Sequence, residues 1–205
     1  MKNLALLAAL VSVLFVVVSC GSGDEAAPND DTVSATDRTG GAGAGGTGAS
    51  LSSIRLDPDL FGKGWKAADG LVLDSWDDIE GLREPLQATA AALRDSYEPL
   101  GIVALGSYAC ARTKPPLDSI DVRVFVFESS ERCAEWIAKK YGYEGWEEHY
   151  TRTESDGIVR LDSTQTQKRI IASGRYWITS GHIGSGDEHR TALGSVASRL
   201  GIDLD

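Results

Sequence analysis

Positive charge is what this sequence has least of: 20 Lys and Arg stand against 30 Asp and Glu, a formal net charge of −10. A nonspecific grip on DNA or RNA phosphates needs a positive surface, so the composition argues against nucleic acid as a partner. Histidine and cysteine are scarce too, at three each. The cysteines match neither a CxxC redox pair nor a zinc knuckle, and HExxH, GxSxG and SxxK are all absent. No apolar run reaches the roughly 20 residues that cross about 30 Å of hydrocarbon. With 205 residues, the chain has room for one domain of ordinary size plus appendages.

The amino end carries an address. Lys2 supplies a positive start, residues 4–18 form an apolar stretch, and Ser19 and Cys20 close it before the composition turns to Gly, Asp and Ser. That is the layout of an export signal. Val17-Val18-Ser19-Cys20 resembles the lipobox of bacterial lipoprotein precursors: two aliphatic residues, a small one and an obligatory Cys, with Val17 standing where Leu is commoner. The resemblance implies that residues 1–19 are a signal peptide removed in the mature protein. It also implies that Cys20 becomes the acylated first residue, tethering the protein to the cell envelope. Gly21, in place of the Asp that retains such proteins at the inner membrane, implies outer-membrane sorting if the cell has two membranes. An ordinary cleaved signal and an uncleaved anchor are the plainer alternatives.

Residues 20–53 read as the lipidated Cys and a disordered linker. From 21 to 53 there are eight glycines and five acidic residues against Arg38, with almost nothing apolar to bury. Such a coil reaches about 30 Å root-mean-square. Its negative charge is repelled by anionic headgroups.

Residues 54–205 hold all five Trp and all six Tyr, and read as one globular domain. Residues 56–76 look loop-rich, with a short strand over 71–73. Ser75 and Asp78 form a capping box before a helical apolar period running to Tyr97, which Pro85 either kinks or restarts. Strands are expected over 101–112 and 119–128, with a turn at Pro115-Pro116 between them. In the second, Ile120, Val122, Val124 and Val126 share one face, and Asp121 and Arg123 share the other with Phe125 and Phe127. A second helix spans 130–141, with Cys133, Ile137 and Tyr141 on one stripe. A meander follows over 148–153, 158–162, 167–172 and 175–182, with hairpin tips at Asp156-Gly157 and Ser173-Gly174. A last helix starts at Asp187. The sum is an α+β fold: an antiparallel sheet of about six strands with about three helices packed mainly on one face.

Three groups of residues offer chemistry. Cys110 and Cys133 are an even pair in an exported domain, so a disulfide pinning the second helix to the sheet is expected, closing a loop of about 23 residues and stabilising the fold by roughly 3 kcal/mol. Two buried free thiols are the alternative. His182, Asp187 and His189 lie together near the start of the last helix, where a metal, or a hydrolase pairing Ser180 or Ser185 with His182, is conceivable; neither has a family spacing. Asp187 is more simply an N-cap. Trp136, Tyr143, Trp146, His149 and Tyr150 crowd a short stretch with Glu144, Glu147 and Glu148. That mixture suits a sugar or peptide platform, or equally an aromatic wedge between helix and strand.

The order SIDVRVFVFESSERCAEW, KRIIASGRYWITSG and a closing helix is similar to exported bacterial domains of unassigned function, often carried on lipoproteins; the resemblance implies no activity. The reading is a membrane-anchored envelope lipoprotein bearing a non-catalytic binding domain, its partner an envelope protein, a glycan or a small ligand. An envelope hydrolase and a structural envelope component are the alternatives. Nothing in the sequence calls for a cofactor or a resident metal.

Overall fold

The computed structural model describes residues 50–204 except 69, 113, 115, 116, 184 and 185. The export signal, Cys20, most of the spacer and the Pro115-Pro116 turn lie outside the described residues. The strands are β1 (Trp65–Ala68), β2 (Val72–Leu73), β3 (Ile102–Arg112), β4 (Ser119–Phe127), β5 (Tyr150–Ser155), β6 (Ile158–Ser163), β7 (Arg169–Ser173) and β8 (Tyr176–Ile183). All pair antiparallel in one sheet of order β1-β3-β4-β8-β7-β6-β5, with β2 also paired to β3. Among the described residues three α-helices accompany them: α1 (Leu86–Tyr97), α2 (Ser130–Tyr141) and α3 (Glu188–Arg199). The fold is α+β, as expected, with eight strands where about six were expected.

β1 is the strand with no counterpart in the expected set, lying in the stretch that reads as a loop. Only Trp65 of its four residues is buried, so it carries no alternation to betray it. Between β1 and β2 the chain runs against β3 so closely that a Cβ on Gly70 would lie 1.8 Å from the Ser107 carbonyl oxygen. Only glycine allows that approach. The domain also begins earlier than residue 54. Leu51 is buried in the core, its carbonyl accepts the Tyr108 hydroxyl at 2.8 Å, and Ser50 Oγ donates to Asp74 at 2.6 Å.

The periodic stretch before β3 is two pieces. A 3-10 turn at Trp76–Gly81 opens where Asp78 accepts the Ser75 N–H at 2.9 Å, and α1 restarts after Pro85. In α2 the Ser129 hydroxyl accepts the Arg132 N–H, and Cys133, Ile137 and Tyr141 are the buried stripe. The β5–β6 tip is Asp156-Gly157, both at positive φ. The β7–β8 tip is Gly174-Arg175, one residue later than Ser173-Gly174, because Ser173 still pairs with Tyr176.

β4 lies inside the sheet between β3 and β8, and its two faces enter two cores. Ile120, Val122, Val124 and Val126 pack with Ile171 and Ile178, the α3 residues Ala192, Leu193 and Val196, and the amino-terminal Leu51, Ile54 and Phe61. Phe125 and Phe127 point the other way, into a cluster with Ile102, Leu105 and Trp177, under Cys133 and Ile137 of α2 and Leu93 and Tyr97 of α1. Two of the three helices thus share one face, and α3 covers the opposite one.

That division corrects the expected disulfide. Cys110 and Cys133 are both free and buried. Cys110, paired with Ile120 across the ladder, belongs to the α3 face, whereas Cys133 belongs to the α1/α2 face, so the sheet separates them. Burial pushes each thiol up to about 11, with Asp57 adding to the effect at Cys110. Both are weak nucleophiles at neutral pH.

Two outcomes are expected. A reductant leaves the melting midpoint of the protein unchanged in differential scanning calorimetry, whereas a bridged domain would melt earlier. Phe127→Ala, at a fully buried site between β4 and α2, lowers the unfolding free energy by about 3–5 kcal/mol in urea titration.

Candidate functional site

The α1/α2 face of β4 changes character along its length. At its carboxyl end Phe125 and Phe127 are covered by helix; at its amino end Asp121 and Arg123 stand on the same face and are not. Alongside them run Thr179 and Gly181 of β8, with Thr166, Gln167 and Lys168 from the segment entering β7. These residues line an open cleft of about 290 Å³, with His182 and Ile183 at its end.

Asp121 faces Gly181 across the ladder. Its carboxylate occupies the space a side chain would fill there, since a Cβ on Gly181 would meet Asp121 Oδ1 at 2.8 Å. Its other oxygen takes Arg123 Nε at 3.3 Å. Burial raises the Asp121 pKa, and the neighbouring Arg123 and Lys168 charges pull it back. Lys168 is held below the usual lysine range, first by burial, then by the positive charges of Lys140 and Arg123, with Asp121 opposing. Lys140, in the last turn of α2, lies with its ammonium 5.1 Å from the Trp136 ring and 5.9 Å from that of Trp177. The Trp face is a cation seat in its own right.

The aromatic stretch packs mainly against the sheet. Trp136 is half-buried against Phe127 and Trp177. Tyr150 meets the buried Tyr141 edge-on at 5.4 Å, and Trp146 packs on the same core. His149 is tied to Gln165 at 3.0 Å, and Tyr143 stands exposed. These residues mainly wedge α2 onto the sheet, and of them Trp136 alone adjoins the Lys140 end of the cleft.

The two histidines near the last helix stay together, His182 pairing across the ladder with Ile120 of the α3 face. His182 lines the cleft end, and its ring lies 6.0 Å from that of His189, which is buried on the α3 face. Asp187 takes the N-cap position, but its side chain forms no cap and turns to Arg190 at 3.6 Å. Among the described residues, no three His, Cys, Asp or Glu side chains are placed to share a metal ion. Ser180 Oγ is buried without a hydrogen-bond partner among the described residues, so it is not bonded to His182 as a Ser–His nucleophile would be. Ser185 lies outside the described residues.

Asp121, Arg123, Gln167, Lys168 and Thr179 are functional candidates that sequence reasoning did not single out. The available signal was the polar pair Asp121 and Arg123 on the same strand face as Phe125 and Phe127. It marks where a covering helix must stop.

No protein-family model matches the chain, and no curated protein matches it. Among solved structures it is similar to the extracellular domain of PknH from Mycobacterium tuberculosis, at a TM-score of 0.46 and 9% identity, over 74% of this chain and 94% of that one.

His189 yields a pH prediction. Burial and the charges of His182 and Arg190 hold its pKa below 6.5, with Asp187 opposing. The folded state therefore prefers the neutral ring, so the contribution to stability is complete above the unfolded value and is lost as pH falls through the folded one. Between about pH 7 and 5.5 the urea midpoint of the protein falls, and His189→Gln flattens that fall.

Proposed function

We propose that the chain is an exported lipoprotein, held at the bacterial envelope by acyl chains on Cys20, whose domain binds a small ligand without transforming it. The anchoring half rests on Val17-Val18-Ser19-Cys20 closing the apolar stretch 4–18. Two or three acyl chains, at about 0.8 kcal/mol per buried CH₂, hold a protein to a bilayer where one chain does not. Gly21, where the inner-membrane retention Asp would stand, supports outer-membrane sorting in a two-membrane cell. The described residues contain no helix long and apolar enough to cross a membrane.

The binding half is carried by the cleft: a concave stretch of an otherwise helix-covered sheet face, where charged groups from β4 and the β7 approach converge over a floor of small β8 residues. Convergent polar groups in a concavity are the ordinary form of a ligand site. The hydrolase alternative has less support, because the Ser180 hydroxyl is buried and has no hydrogen-bonded base among the described residues.

In cells, Cys20→Ser moves the protein from the membrane fraction to the soluble fraction and abolishes incorporation of a labelled fatty acid. Retention in the membrane overturns the tether. Native mass spectrometry of the protein purified from its own cells shows a small bound species, depleted in Gly181→Val, which displaces the Asp121 carboxylate. Absence of any bound species overturns the binding reading.

A further inference from the structure

The charge of the cleft runs against that of the protein. Overall the chain carries −10, yet the charged groups lining the cleft are Arg123 and Lys168 against Asp121, and Lys140 adds its charge from the end of α2. Three cations face one carboxylate, a local excess of +2. That carboxylate is already committed, lying against Gly181 with Arg123 at 3.3 Å. It orients the guanidinium and is shared with Lys168, so one carboxylate serves the positive charges gathered there.

Like charges brought together in a partly desolvated cleft repel, and a surface free of function disperses them. The arrangement is complementary to an anion. The donors at hand are an Arg fork, a Lys ammonium, the Thr179 hydroxyl and the Gln167 amide, more than a single carboxylate accepts comfortably. They suit a group with three terminal oxygens and a charge near −2, which is a phosphomonoester at neutral pH.

Building on the binding reading above, we propose that this cleft binds the phosphate of a small phosphomonoester, with Arg123 and Lys168 on the phosphoryl oxygens and Lys140 adding long-range attraction. The phosphate belongs either to a free metabolite or to a phosphomonoester headgroup in the membrane beside which the domain is tethered.

The test uses the full chain in neutral detergent micelles, titrated with inorganic phosphate and with glycerol phosphate at constant ionic strength and followed by isothermal calorimetry. A parallel arm reconstitutes it into phosphatidylcholine vesicles with and without phosphatidate, followed by tryptophan fluorescence. Saturable binding in micelles, weakened at least tenfold by Lys168→Gln and by Arg123→Gln but unchanged by Arg94→Gln on exposed α1, supports a free phosphomonoester. A fluorescence change confined to phosphatidate vesicles, with the same dependence on Lys168 and Arg123, supports the headgroup. Circular dichroism verifies that each variant is folded. No response in either arm, or one that the cleft variants do not weaken, overturns the proposal. A phosphorus-free species found by native mass spectrometry overturns it while leaving the binding reading intact; no species at all overturns both.

Discussion

The structure depends on one strand being buried from both sides. β4 carries valine and isoleucine on the face toward α3 and phenylalanine on the face toward α1 and α2, and its partners β3 and β8 must match that parity residue by residue. Register along these ladders is therefore strongly constrained. A one-residue slip would drive Asp121 and Arg123 into the α3 core and turn the valines to the open face. The branched side chains suit the close approach of a helix whose contact residues are Ala192, Leu193 and Val196. The opposite face takes the larger rings, with Tyr97, Phe125, Trp177, Trp136 and Phe127 in contact one after another.

The cleft follows from the same strand. The apolar surface on the α1/α2 face ends where Phe125 gives way to Arg123 and Asp121, and beyond that point a covering helix would bury charge without compensation. The sheet continues while its cover does not, which leaves strand residues lining a concavity. Lys140, at the end of α2, stands at the boundary between the two regimes, its ammonium over the indoles and its charge felt at Lys168. The same break in cover that makes a concavity also gathers the cations around it.

Most of the elements were legible from periodicity and punctuation. The capping residues Ser75 and Ser129, the terminating Gly101 and the Asp156-Gly157 tip all act locally, so sequence alone exposes them. β1 was not legible, because an edge strand with one buried residue has no pattern. The cysteine pairing failed for a different reason. Compartment and even number both favour a bridge, but neither says which face of the sheet Cys110 points to or which face the Cys133 helix covers. The candidate site was half visible: Asp121, Arg123 and His182 could be placed on strands, while Lys168 gains meaning only beside β4, to which it is distant in sequence.

The amino-acid order by itself determined the placement of most helices and hairpins and the two-sided character of β4, since each depends on residues within a turn or a strand of one another. Tertiary structure alone decided that Cys110 and Cys133 lie on opposite faces of the sheet, that the aromatic stretch 136–150 is mainly a wedge, and that Arg123 and Lys168, from separate elements, line one cleft with Lys140 nearby. Those outcomes turn on strand parity and on where a helix stops covering a sheet, and both are set by packing between segments far apart along the chain.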